Sequence, residues 1–243
     1  MKLIKLDAID STNDFMKRLS ADQTLDNFTV VVAENQTHGK GQMGAKWESE
    51  TGKNLMFSVL VNDKLNDISE IFYLNFAVAL SIITVLKNNN IPNLAIKWPN
   101  DILSDNKKLA GILIENTFKN NGEINSIIGI GLNVNQLNFD ELPKATSMAA
   151  IMKTEFDRDI ILNQLVESLK LNLELLQKNS GNELWENYNR LLFKKGVPMA
   201  FSLTNGNKFM GIIQGVNASG KLEVKLHDDC IESYGIKEIQ LLY

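Results

Sequence analysis

The sequence predicts a mixed α+β fold, with helices packed on a mixed or antiparallel sheet and a small all-β unit at the C-terminal end. Three observations carry that expectation. Strand-like and helix-like segments follow one another without regular βαβ alternation. The apolar stretch Phe76 to Leu86 is crowded on nearly every side, as a core helix laid against a sheet should be. At Gly196 the composition changes to short strands punctuated by Asn205-Gly206, Gly211, Gly215 and Asn217-Ala218-Ser219-Gly220, the pattern of a small barrel. Residues 1–195 and 196–243 should therefore form two units, the second too small to bury much core alone and so packed on the first.

Met1 to Asp10 alternates like a strand and has no apolar run of the signal-peptide kind, which points to a cytoplasmic protein. Ser11-x-x-Asp14 is a capping box ahead of Phe15, Met16 and Leu19, so Asn13 to Leu19 should be a short helix. Phe28 to Ala33 and Asn54 to Val61 read as strands. Ile68 to Lys87 reads as one helix stopped by Asn88-Asn89-Asn90; its apolar stretch spans about 16 Å, too short for a bilayer. Leu94-Ala95-Ile96 ends a buried strand, because Pro99 lacks a backbone donor and forces Trp98 into an extended conformation. Asp101-Ile102-Leu103 and Lys108 to Glu115 form a hairpin across the turn cluster Ser104-Asp105-Asn106-Lys107. Ile124 to Asn135 is a further strand after the Asn120-Asn121-Gly122-Glu123 turn. Asp157 to Gln177 and Asn182 to Phe193 are scaffold helices, the second carrying Trp185 and Tyr188 as a link between units.

A chain of 243 residues with 44% hydrophobic content can hold a large core. Its net charge of −4 argues against a nucleic-acid partner, since phosphate binding wants a basic face. The lone cysteine, Cys230, excludes an internal disulfide and reads as a structural thiol in a strand. His38 and His227 are far apart and no Cys/His ligand spacing occurs, so no protein metal cage is expected. A strand-edge homodimer and a monomer would leave similar patterns, and both stay open.

Two stretches carry chemistry. Lys97-Trp98-Pro99-Asn100-Asp101, ten residues before Lys108-Leu109-Ala110-Gly111-Ile112-Leu113, concentrates charge and amides where apolar strands should run. The bland reading is an edge-strand proline with two solvated lysines. Gly39-Lys40-Gly41-Gln42-Met43-Gly44-Ala45-Lys46-Trp47 is costly to order, so it needs a compensating role such as close approach of backbone N–H groups to an anion. It opens no helix, unlike a dinucleotide fingerprint, and lacks the Gly-Lys-Ser/Thr of a Walker loop.

With Ser11-Thr12-Asn13, Glu34-Asn35-Gln36 and Gly129-Ile130-Gly131-Leu132-Asn133, these blocks stand in an order and spacing that resembles the biotin protein ligases from Asp10 onward. The resemblance implies a fold like that of class II aminoacyl-tRNA synthetases and biotin ligases, ending in an SH3-like β-barrel. It also implies ATP-dependent conversion of biotin to biotinyl-5'-AMP, then transfer to a lysine of a biotin carboxyl carrier domain. By the resemblance, Ser11, Thr12, Asn13, Gln36, Gly39, Lys40, Gly41, Gln42, Lys108 and Gly111 would bind biotin. Lys40, Gln42, Gly44, Trp47, Asn100, Lys108 and Asn133 would bind ATP. No helix-turn-helix precedes Ser11, which fits a monofunctional form.

The residue chemistry agrees with an adenylating ligase. Activating a carboxylate with ATP brings two anions together, and the loop amides with Lys40, Lys97 and Lys108 can neutralise them. Mg2+ would bridge the phosphates and needs few protein carboxylates. Asp101 can take or orient the proton of the acceptor lysine. Bland readings stand beside these: a helix cap accounts for Ser11, and strand packing for Gly129 and Gly131. A lipoate or octanoate ligase would need a long apolar slot instead of polar partners, and a non-catalytic biotin-binding regulator would need no ATP turnover. One departure is plain: the loop is commonly arginine-rich in these ligases, whereas Lys40, Gln42 and Ala45 stand here.

Overall fold

The computed structural model describes residues 2–62, 71–118, 124–178 and 181–243. Seven strands form the main sheet: β1 (Leu3–Ile9), β2 (Val30–Gln36), β3 (Leu55–Asn62), β4 (Leu94–Lys97), β5 (Asp101–Ser104), β6 (Lys107–Phe118) and β7 (Ile124–Leu132). Their order is β1-β2-β3-β7-β6-β5-β4, with β1 and β2 parallel and every other pair antiparallel. This is the mixed sheet expected of a chain without βαβ alternation.

Alternation along the strands gives the sheet two apolar faces. Val31, Leu60 and Ile127 face helix α1 (Thr12–Asp22) and pack with Met16 and Leu25. Their neighbours Val30, Val59 and Ile128 lie in the larger core under α2 (Ile71–Asn88), α4 (Arg158–Gln177) and α5 (Gly181–Arg190). A short helix, α3 (Met148–Met152), follows β7. Among the described helices α2 is long and apolar enough to cross a membrane, but 61% of it is buried within the protein, so here it serves as a core helix. The expected start of that helix at Ile68 and the Asn120–Glu123 turn lie outside the described residues.

Two local features aim the site. In the β5–β6 turn, Asp105 (φ 46°) and Asn106 (φ 66°) both sit in the left-handed region, which these residue types tolerate and a tight two-residue hairpin requires. Pairing then shifts from Leu103↔Lys108 to Ile102↔Ala110, leaving Leu109 as a one-residue bulge. Without the bulge, Lys108 and Gly111 would point to opposite faces; with it they share one.

The C-terminal strands are β8 (Pro198–Leu203), β9 (Lys208–Val216), β10 (Leu222–Lys225), β11 (Ile231–Tyr234) and β12 (Ile239–Leu242), in the antiparallel order β11-β10-β9-β8-β12. The expected closed barrel is an open sheet, since β11 and β12 do not pair. It is nevertheless curled. The link from Tyr234 to Ile239 reaches at most ~18 Å, no more than the ~19 Å width of five flat strands, and the turn Glu238 N–H to Gly235 O (3.2 Å) shortens it further. The sheet packs on the main body as its small size requires: Trp185 Nε1 and Asn189 Nδ2 of α5 donate to Val216 O, and Trp98 Nε1 donates to Gly220 O at 2.9 Å. Cys230 corrects one expectation. It is exposed just ahead of β11 rather than in a strand, because the Asp228-Asp229 turn precedes it and the Asp228 carboxylate accepts its N–H at 3.1 Å.

Candidate active site

A cavity of about 890 Å³ opens on the α1 face of the main sheet, within the roughly 300–1,000 Å³ typical of small-molecule sites. Its polar end is the N-terminus of α1. Ser11 caps the helix by accepting the Asp14 N–H (3.4 Å), yet also lines the cavity, so cap and site coincide. The second half of a capping box is absent: Asp10, not Asp14, accepts the Ser11 N–H (2.7 Å), which frees Asp14 to pair with Lys40 at 2.6 Å. That carboxylate raises the Lys40 pKa.

Asp10 is gripped by the two terminal guanidinium nitrogens of Arg18 at 3.0 Å, and chiefly for that reason its carboxyl is held at about 2, below the ordinary 3.8. Its stabilising contribution is therefore complete above pH 3.8 and lost as pH falls toward 2. An NMR titration should show the Asp10 midpoint near 2 in the wild type; a midpoint near 3.8 would contradict the Arg18 fork.

Thr12 and Asn13 are buried in a hydrogen-bond network. Gln36 Oε1 accepts the Thr12 backbone N–H at 2.7 Å and its hydroxyl at 3.1 Å. Ser58 Oγ lies 2.8 Å from Thr12 Oγ1 and 2.6 Å from Asn13 Oδ1, donating to one at a time. Asn13 Nδ2 donates to Glu115 Oε2 at 2.8 Å, and Lys17 pairs with the other oxygen of Glu115. Ser58 and Glu115 are hydrogen-bonding neighbours of candidate site residues that the sequence does not single out; the available signal is a lone serine inside the otherwise apolar Leu55–Val61 and an acid ending Ile112–Glu115.

Between the polar and cationic ends runs a floor of glycines. Gly111 and Gly131 pair across β6 and β7, next to the pair Leu113 and Gly129. Trp47 lies on this floor: a Cβ at Gly131 would meet its ring at 2.4 Å, and one at Gly111 would meet it at 3.2 Å. Gly129 admits Asn13, whose Oδ1 would stand 2.4 Å from an added Cβ. Strand packing and site formation are thus one requirement. Trp47 Nε1 is buried without a hydrogen-bond partner among the described residues, at a cost of about 1–3 kcal/mol.

The cationic end is the β4–β5 corner. The Trp98–Pro99 bond is cis and β4 stops at Lys97, where the proline argument requires. Lys108 Nζ sits 2.6 Å from Asp101 Oδ1, and Lys97 Nζ 3.7 Å from Oδ2. Lys108 Nζ also lies 5.5 Å from the Trp47 ring centroid, and Lys97 Nζ 4.9 Å from that of Tyr243. Asn100 lines the cavity but spends its Nδ2 on Ile112 O (2.8 Å), which pins the corner to β6.

Of the residues singled out in the sequence, Ser11, Thr12, Asn13, Gln36, Lys40, Gly41, Gln42, Trp47, Lys97, Asn100, Asp101, Lys108 and Gly111 meet at this cavity. Gly39, Gly44 and Asn133 are not in its wall. Gly39 closes the loop, where an added Cβ would lie 2.4 Å from Trp47 O, and Gly44 supplies a left-handed turn (φ 83°). Asn133 is buried behind the floor with Nδ2 donating to Thr146 O at 3.0 Å, so its side chain is committed to the scaffold.

The fold and site define a protein with an elongated cleft, polar at one end, glycine-floored in the middle and cationic at the other, bordered by the glycine loop. The model of the biotin/lipoate A/B protein ligase family matches residues 6–135, more than half of the chain, and the chain belongs to that family. It is 27% identical over 239 residues to the bifunctional ligase/repressor BirA of Escherichia coli, covering 97% of this chain and 73% of BirA. To the biotin--[acetyl-CoA-carboxylase] ligase of Mycobacterium tuberculosis it is 28% identical over 216 residues, covering 87% of this chain and 79% of that protein. Among solved structures, the biotin protein ligase from Aquifex aeolicus in complex with biotin and ATP superposes with a TM-score of 0.82 at 26% identity, covering 99% of this chain and 98% of that one.

Proposed function

We propose that this protein is a biotin protein ligase, which forms biotinyl-5'-AMP from biotin and ATP and transfers biotin to a lysine of a biotin carboxyl carrier domain. The observation that carries the reading is the continuous cleft from the Thr12–Gln36–Ser58 network, across the Gly111–Gly131 floor, to Lys108 and Asp101. Hydroxyl and amide groups suit a ureido ring, the apolar Trp47 ring seated on the glycine floor suits an alkyl chain, and Lys108 suits the carboxylate. A lipoyl dithiolane ring would leave the buried network at the polar end without a polar ligand, which disfavours it. Among the described residues Gln36 Nε2 makes no protein hydrogen bond, so it keeps donors for a ligand carbonyl.

Lys108 would draw the biotin carboxylate toward the α-phosphate and neutralise the charge developing between them. Mg2+, carried mainly by the triphosphate and water, would neutralise the remaining phosphate charge. Asp101, between Lys97 and Lys108, would then orient or accept the proton of the incoming acceptor lysine. Residues 1–195 form the catalytic unit in this reading, and residues 196–243 an SH3-like unit closing one side of the cavity. The protein would act in the cytoplasm without a nucleic-acid partner; biotin-dependent exchange of pyrophosphate into ATP tests the first half-reaction, and its absence would contradict the reading.

Gln42 has a kinetic consequence. A hydrogen bond to a charged group contributes roughly 1.5–3 kcal/mol against about 1 for a neutral one, so Gln42 should hold an adenylate less firmly than arginine would. Where no other cation compensates at the phosphate, Gln42→Arg is expected to slow biotinyl-adenylate release about tenfold in a stopped-flow chase, and equal off-rates would refute the idea.

A further inference from the structure

At the tip of the glycine loop Lys40 is paired with Asp14 at 2.6 Å and Gln42 is neutral, so among the described residues the loop's own unpaired cation is Lys46, four residues beyond Gln42. A further cation reaches the Gln42–Met43 tip from elsewhere. Lys237, in the turn between β11 and β12, donates from Nζ to Met43 O at 2.7 Å and lines the same cavity as Gln42. The turn is built to present it. Gly235 N–H donates to Glu238 Oε2 (2.6 Å), Glu238 N–H to Gly235 O (3.2 Å), and Lys237 is held at φ 67°, a left-handed conformation that lysine rarely adopts.

Among the described residues Lys237 is not neutralised by a carboxylate side chain. Lys40, Lys97 and Lys108 each have an aspartate partner, whereas Lys237, like Lys46 of the same cavity, has none; Lys237 bonds only a neutral carbonyl. A phosphate oxygen makes a shorter hydrogen bond to an ammonium, roughly twice as strong as a neutral acceptor does, so an arriving triphosphate would displace Met43 O. We propose that Lys237 is a nucleotide-phosphate ligand delivered by the C-terminal sheet, exchanging Met43 O for a phosphate oxygen and placing a cation beside the neutral Gln42. This rests on the reading of the cavity as an ATP site.

Equilibrium binding of ATP, adenosine and biotin to the wild type, Lys237→Met and Lys237→Arg tests it. Lys237→Met should weaken ATP about tenfold while leaving adenosine and biotin within twofold, and Lys237→Arg should retain ATP affinity. An equal loss for ATP and adenosine would make Lys237 a mere loop staple and overturn the proposal, as would unchanged ATP affinity. Failure of the wild type itself to bind ATP would instead overturn the ligase reading, and this inference with it.

Discussion

Replacing Lys108 with alanine is expected to lower biotinyl-adenylate formation about 100- to 1,000-fold, the scale on which removal of one preorganised charge-stabilising donor acts. The β6 bulge at Leu109 aims Lys108 across Gly111 toward Asp101, at the end of the glycine floor where a bound carboxylate would meet a phosphate. Little of this loss should come from unfolding. The Lys108 side chain is 36% exposed, and Asp101 keeps Lys97 as a cationic neighbour at 3.7 Å. Single-turnover adenylate formation, with thermal melting as control, reads the effect; a drop of less than threefold in a folded variant would remove Lys108 from the chemistry.

The second large effect should come from Gly129→Ala. An added methyl would stand 2.4 Å from Asn13 Oδ1. Asn13 cannot easily withdraw, because Ser58 holds its oxygen at 2.6 Å and Glu115, itself tied to Lys17, accepts from its nitrogen at 2.8 Å. The clash therefore spreads through the polar end of the cleft and leaves the cationic end untouched. The KM for biotin should rise tenfold or more while that for ATP stays within about twofold, since one or two disrupted hydrogen bonds at about 1 kcal/mol each, plus displacement, reach that scale. An unchanged KM for biotin would separate Asn13 from the biotin site.

Much of the site is legible in the sequence because it violates local expectation. Cations and amides in Lys97–Asp101 and at Lys108 have no place in an apolar strand, and three glycines between Gly39 and Gly44 have no cheap folded conformation. The main sheet is legible because its apolar runs lack βαβ alternation. Other parts are not legible, for physical reasons. Ser58 looks like any strand serine until the fold brings Asn13 to it, and Glu115 ends an apolar run as a solvated acid would. The Leu109 bulge has no residue signature. Turn residues in the C-terminal strands mark where the chain reverses but not which edges pair, so the open order of that sheet is not legible in them. Asn133 follows the glycine block closely, but pairing register and its bond to Thr146 O put it behind the floor. Lys237 meets Met43 only through tertiary packing between distant segments.

The most direct measurement is the intact mass of a biotin-acceptor domain after incubation with this protein, Mg-ATP and either biotin or lipoate in parallel. A gain of one biotinyl group that requires ATP and disappears with Lys108→Ala is the expected result. A lipoyl gain would contradict the substrate assignment, and saturable biotin binding with no gain from either acid would contradict the ligase reading in favour of a non-catalytic biotin-binding protein.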